Sequence, residues 1–265
     1  MNNLHRELAP ISDAAWEQID AEAARTLKRY LAARRVVDVP KPKGQTLAAV
    51  GTGHSKLIES PGDGVQAVQR IANAVVQLRV PFTLTREAID DVEHGSEDSD
   101  WSPLKEAART IAYAENRAVF DGYPAAGIGG IRPGASNMPV ALLSAVADYP
   151  AAVAKAVDRL RLAGVEGPYR LVLGDDPFTA ICGGSDEGYP VLQHIKRLVE
   201  GEIVWAPGVT GGLVLTTRGG DFELVLGQDL SIGYLSHTDK VVDLYLQESF
   251  TFRLLTTEAV VALTN

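Results

Sequence analysis

The sequence predicts an α+β fold, and three observations predict it. Two long stretches carry the three-and-four apolar spacing of helices. Other stretches carry the period-two spacing of strands, and the two kinds are interleaved with long excursions rather than in regular βαβ units. The clearest strand signal lies between Gly201 and Leu255, where short β segments are joined by glycine pairs. In its final run, VVDLYLQESFTFRLL, Val242, Leu244, Leu246, Phe250, Phe252 and Leu254 share one face. That alternation predicts a half-buried strand of roughly twice the usual length.

In chain order, Ser12 is suited to cap a helix, with Ile11 before it and Trp16 at the fourth helical position, the spacing of a hydrophobic staple. Trp16, Ile19, Ala23, Leu27, Tyr30 and Leu31 continue one apolar stripe, which predicts a helix ending near Ala33. From Thr46 to Thr85, two extended stretches flank the turn cluster SPGDG at 60–64 and read as a long hairpin. Such a two-stranded arm leaves its edges and one face unsatisfied in water, so it needs a neighbour, most economically another copy of the chain.

Pro103 to Asp121 is the strongest helix, with Leu104, Ala107, Ala108, Ile111, Ala114, Ala118 and Val119 in one stripe, Pro103 in the first turn and Gly122 at the end. A further helix runs from about Ala151 to Leu162, after linker-like stretches at 122–130 and 132–137. YRLVL at 169–173 is a strand, and the loop GGSDEGYP at 183–190 precedes a short helix over Val191–Val199.

The chain has 265 residues, 46% of them apolar and 22% charged, ordinary values for a globular protein of one or two domains. A net charge of −9 disfavours a nucleic-acid coat, because phosphate binding needs clustered Lys and Arg. Cys182 is the single cysteine, so a reducing compartment costs the fold nothing. The opening MNNLHRELAP has no apolar core of a secretory signal, and no stretch reaches the roughly 18 apolar residues of a membrane span. A soluble, cytoplasmic protein is expected.

Candidate chemistry is sparse. The five histidines have no pair at metal-ligand spacing, and the acidic run Asp90, Asp91, Glu93, Glu97, Asp98 and Asp100 reads as a solvated loop with helix caps, so no metal is expected. GIGG at 127–130 and GTGHSK at 51–56 lack the strand, glycine spacing and helix of a phosphate loop. Cys182 stands near Asp186 and Glu187, the opposite of the electropositive setting a reactive thiolate needs. Glu248, the one charged residue on the apolar face of the last strand, must be paired or near the surface, and Arg218 is a suitable structural partner. No catalytic group is expected.

The motif RGGDF, the run LGQDLSIGY and the strand LYLQESFTF together resemble the shell proteins of encapsulin nanocompartments, the family also called linocin or culture-filtrate protein, in its actinobacterial form. MNNLHRELAPIS with AAWEQID, RRVVDV, LRVPFTL with IDDVEHGSEDSDW, and LAGVEGPYRLVL are similar to that family in the same order along the whole chain.

The resemblance implies the HK97 phage-capsid-like fold, with a P-domain from 1–45, 81–130 and 223–265, an extended E-loop from 46–80, and an A-domain from 131–222. It implies a non-enzymatic shell of sixty copies or more that encloses a dye-decolorising peroxidase or a ferritin-like protein, tying its role to oxidative stress or iron storage. The cargo is recruited by a short C-terminal peptide. The matching docking residues are Arg34, Asp38, Asp229, Leu230, Ile232 and Tyr234. The loop carrying Asp186, Glu187 and Tyr189 corresponds to the rim of the fivefold pore, where repeated carboxylates attract cations. Some encapsulins hold a flavin on an aromatic residue where this chain has Glu87, so no cofactor is expected. Two other readings, a prophage capsid protein and a soluble hydrolase using Cys182 or the acidic loop, are opposed by the acidic balance and by the lack of a paired base.

Overall fold

The computed structural model describes residues 3–264. Helix α1 (Asp13–Tyr30) begins where Ser12 Oγ accepts the Ala15 amide at 3.2 Å. It ends earlier than its stripe predicts, because the buried Asn116 takes over there: its Oδ1 accepts the Ala33 amide and its Nδ2 donates to the Tyr30 carbonyl. A 3-10 turn, Ala33–Arg35, follows.

The chain then forms an antiparallel hairpin of β1 (Ala49–Ile58) and β2 (Ala67–Ala74), with Leu57 opposite Val68. The hairpin is shorter than its sequence suggests. β3 (Val76–Thr85) belongs to another sheet, because its alternating Phe82 and Leu84 have a core to enter whereas the hairpin side chains do not.

Helices α2 (Arg86–Glu93) and α3 (Ser102–Phe120) come next. The stretch expected to be a linker is tied down. It contains the short α4 (Ile131–Gly134), and Arg132 reaches Asp121 at 2.9 Å and the Thr210 carbonyl at 2.6 Å. The remaining elements are β4 (Val140–Ala141), α5 (Tyr149–Leu162), β5 (Tyr169–Leu173), α6 (Asp175–Gly183), β6 (Ser185–Asp186), β7 (Tyr189–Pro190), α7 (Val191–Val199), β8 (Glu200–Trp205), β9 (Gly212–Thr216), β10 (Phe222–Leu226), β11 (Ser231–His237), β12 (Val241–Leu254) and β13 (Val260–Thr264). α6 was not legible in the sequence, and it puts Cys182 on an exposed helix end.

Two sheets organise these elements. In the first, the 14-residue β12 pairs on one side with β3 over ten residues, and on the other with β11 along its first half and β10 along its second. The second has the order β4-β13-β9-β5-β8, flanked by α5, α6 and α7. β13, which carries no strand expectation, leaves the first sheet to run between β4 and β9.

β12 is the strand its alternation predicts, but it is buried on both faces. Much of the polar face is bonded internally, although the buried Thr251 hydroxyl has no partner among the described residues. Arg79 lies 4.0 Å above the Tyr245 ring and donates to Gln247 Oε1, and Gln247 in turn donates to Gln228 Oε1 at 2.7 Å. Residues 38–44 run along the free edge of β10, with Asp38 bonded to Phe222 and Leu224 and Lys43 to Leu226.

Buried apolar side chains form two clusters. One holds α1, α2, β3 and the starts of α3 and β12; the other holds the second sheet, its helices, and the ends of α3 and β12. α3 and β12 are therefore the two long elements that pass through both. Phe250 is wholly buried on β12 at the entrance to the second cluster. Truncating it to alanine removes a ring that rigid neighbours cannot replace, so Phe250→Ala is expected to cost about 3–5 kcal/mol, read as a lowered urea midpoint.

Candidate functional site

A buried ion cluster marks the junction of the two cores. Arg34 follows α1, Glu115 lies on α3 between Ala112 of one cluster and Ala118 of the other, and Glu248 lies on β12 between Leu246 and Phe250. Arg34 Nη2 is 2.6 Å from Glu115 Oε2 and 3.0 Å from Glu248 Oε2, while its Nη1 donates to Asp229 Oδ1 at 2.7 Å. Glu115 and Glu248 are fully buried. Arg218, the partner expected for Glu248, is instead held by Asp221 through two bonds of 2.9 and 3.0 Å.

Two buried carboxylates and the half-exposed Asp229 carry, when all are ionised, more negative charge than one guanidinium balances. Burial pushes the Glu248 carboxyl well above the usual carboxylate range, the Glu115 charge adds to this, and Arg34 opposes it. Burial by itself lowers Arg34, but Glu115, Glu248 and Asp229 outweigh it and hold the guanidinium protonated. The cluster joins four chain segments, with all three guanidinium nitrogens of Arg34 bonded to carboxylates and Glu115 and Glu248 fully buried, so it works as a structural joint. A neutral Glu248 is compatible with its buried Oε1, which has no hydrogen-bond partner.

The residues expected to dock a peptide fall into four groups. Arg34 is committed to the joint, and its side chain is only 17% exposed. Ile232 is 3% exposed and packs with α1 and α3, which puts it in the core rather than on a surface. Asp38 is exposed, but its Oδ2 accepts the Gly220 amide at 2.6 Å, which fixes the turn before β10.

Asp229 stands at the surface just before β11, while Leu230 and Tyr234 share the face of Ile232 and lie at the margin of the first core. The Asp229 side chain is half exposed, Leu230 and Tyr234 are half-buried against the first core, and the Tyr234 hydroxyl lies 2.6 Å from His237 Nδ1. Beside them the Tyr234 amide donates to the Leu4 carbonyl, so the N-terminal segment borders this ledge.

Asp186, Glu187 and Tyr189 stand on the β6–β7 hairpin. Its two-residue loop places Glu187 at φ 46° and Gly188 at φ 86°, the left-handed pair of a tight hairpin turn. The turn aims Glu187 outward. Tyr189 stacks on His194 with ring centroids 4.5 Å apart, and Arg197 lies over its ring at 5.4 Å. Among the described residues no group of three or more His, Cys, Asp or Glu side chains is placed to hold a metal ion, and no helix is long and apolar enough to cross a membrane.

A two-sheet body, a long helix shared by both cores, and a projecting hairpin with no core of its own define a capsid-type subunit. Solved structures of this architecture agree. A virus-like particle from Pyrococcus furiosus superposes with a TM-score of 0.64 over 93% of this chain and 98% of that one at 15% identity, and Gordonia phage Cozz gives 0.54 over 89% and 86% at 12%. The fold is HK97-like.

Residues 1–251 match the family described as encapsulating protein for peroxidase. The chain is 57% identical to the type 1 encapsulin shell protein of Rhodococcus erythropolis, over 99% of this chain and all of that one. It is 52% identical to that of Mycobacterium tuberculosis, over the full length of both. The chain belongs to the encapsulin shell family and is a self-assembling shell subunit.

Removing Arg34 would leave Glu115 and Glu248 buried without a cation, so Arg34→Ala should cost roughly 3–5 kcal/mol. Folding raises the Glu248 pKa above its unfolded value. Its contribution is therefore complete below the ordinary carboxylate range and is lost as pH rises through the raised value. The melting temperature should fall on the alkaline side, and Glu248→Gln, which keeps the neutral shape, should flatten that fall in a thermal scan across pH.

Proposed function

We propose that the shell built by this chain encloses a peroxidase or a ferritin-like protein in the cytoplasm and meters what reaches it. The observation that carries the reading is the match of residues 1–251 to a family described by its encapsulation of a peroxidase. The acidic balance of −9 favours a protein content over packaged DNA, which is why the prophage-capsid alternative is set aside.

In this reading β1 and β2 form the E-loop, the second sheet with α5, α6 and α7 is the A-domain, and α1, α3 and the first sheet make the P-domain. β13 is the one C-terminal element that crosses to the A-domain. The arm exposes Leu57, Ile58, Val65, Val68 and Ile71, apolar area that a monomer has no reason to leave in water and that neighbouring copies cover. Closure into sixty copies is the smallest icosahedral arrangement, and heterologous contacts of this kind are stable because the rotations close.

The cargo peptide docks on the ledge of Asp229, Leu230 and Tyr234, with Arg34 and Ile232 supporting it from beneath and Asp38 fixing the neighbouring turn. Substitutions at Arg34 or Ile232 would disturb the fold and report on stability, so the informative variant is Leu230→Ser with Tyr234→Ala. Co-expression with a fluorescent protein carrying a C-terminal targeting peptide should give shells of normal size by electron microscopy and at least about tenfold less co-purified fluorescence. Unchanged loading would remove these positions from the docking surface.

The β6–β7 turn lines the fivefold pore, where Asp186 and Glu187 from five copies form a ring of carboxylates that concentrates cations and repels anions. Asp186→Asn with Glu187→Gln should slow cation uptake into loaded shells at low salt and have little effect at high salt, measured as the rate of iron oxidation by an enclosed ferritin-like protein. An unchanged rate at low salt would mean that cations enter elsewhere.

A further inference from the structure

α1 and α3 lie side by side in the same sense, with Glu22 facing Lys105 and Tyr30 facing Tyr113, and their outward faces carry most of their charge. On α3, Lys105, Arg109, Tyr113 and Arg117 recur at every fourth position, which puts them on one stripe about 18 Å long. Arg25 and Arg29 stand four apart on the facing edge of α1. Between the helices is a cavity of about 480 Å³ that includes Arg25, Arg29, Lys105 and Arg109. A second concavity of about 460 Å³, which shares Glu106 and Arg109 with it, continues past Tyr113 to Arg117.

Five cations on one groove of a chain with net charge −9 is a local inversion of sign. Three carboxylates interrupt or border it: Glu22, paired with Arg25 and 4.0 Å from Lys105; Glu106, paired with Arg109 at 2.7 Å; and Asp175, which accepts from Trp205 Nε1 and the Gly208 amide beside Tyr113. The groove thus retains a net positive charge, and all five cations are exposed.

We infer that this groove is a docking surface for an extended acidic peptide segment of another protein. Its length suits a chain rather than a compact ion, since two concavities are joined end to end. The interspersed Glu22 and Glu106 suit a partner whose carboxylates are spaced along a chain and disfavour the unbroken charge of a nucleic-acid backbone. The aromatic groups point the same way. Tyr30 packs against Tyr113 and Trp205 at 5.8 Å each, and Arg29 lies 5.7 Å over the Trp205 ring, so these rings are engaged with one another rather than offered as stacking platforms for bases. The groove is separate from the ledge on β11, and its occupation does not depend on that ledge.

The test is co-expression of the full chain with a fluorescent protein ending in a twelve-residue tail of alternating Glu and Ser, against the same protein with a Gly and Ser tail. This readout works whichever face of the particle the groove occupies. The acidic tail should co-purify at least about fivefold more than the neutral one at low salt and should be lost at 0.5 M salt.

Arg109→Glu with Arg117→Glu should reduce retention at least about tenfold, whereas Lys41→Glu with Lys155→Glu, the same change of net charge at exposed positions elsewhere, should leave it within about twofold. Equal retention of both tails, equal loss in both double variants, or displacement of the acidic tail by co-purifying nucleic acid would overturn the inference.

Discussion

One guanidinium holds the two halves of this subunit in register. Arg34 binds Glu115 on α3 and Glu248 on β12 at the level where each element passes from one apolar core into the other. An apolar side chain at any of these three positions would fuse the cores but fix no orientation, because hydrophobic contact is non-directional. The planar fork of arginine imposes a direction, and the surplus carboxylate is accommodated as a neutral acid rather than as a second buried anion. A shell subunit repeated many times has to present the same angles to every neighbour, and a joint with directional bonds is suited to that requirement.

The same logic runs through the first sheet. β12 hides both faces, one by apolar packing and the other by a chain of bonds from Arg79 through Gln247 to Gln228. Residues 38–44 and the N-terminal segment occupy edges that would otherwise be open. Against this closed body the β1–β2 arm stands out as the part left unfinished, with its exposed leucine, isoleucine and valine side chains. Covered edges on the first sheet and exposed apolar side chains on the arm favour association through the arm.

The candidate sites were legible in the sequence only in outline. Alternation in the LGQDLSIGY run puts Leu230, Ile232 and Tyr234 on one face, but it does not say how deeply each of them is buried. The core claimed Ile232 and left Leu230 and Tyr234 on the ledge. The acidic turn at Asp186 and Glu187 was readable because glycine at 188 and the polar pair before it carry turn chemistry locally. The partner of Glu248 was not readable. Arg218 is closer in sequence, but Asp221 three residues away takes it, and Arg34 arrives from 214 residues distant.

What the sequence determined by itself are features set within a few residues: the Ser12 cap, the apolar stripes of α1 and α3, the alternation of β12, and the family to which the motifs point. The cap follows from residue type, the stripes and the alternation from helix and strand periodicity, and the family from motif resemblance, and none of them needs a distant contact. The tertiary structure alone decided that β3 leaves the arm for the sheet, that β13 crosses to the second sheet, that Asn116 ends α1, and that Glu115 meets Glu248. Those outcomes depend on which distant surfaces are brought to the same place, and a buried charge or an open strand edge takes whichever partner the packed chain delivers to it.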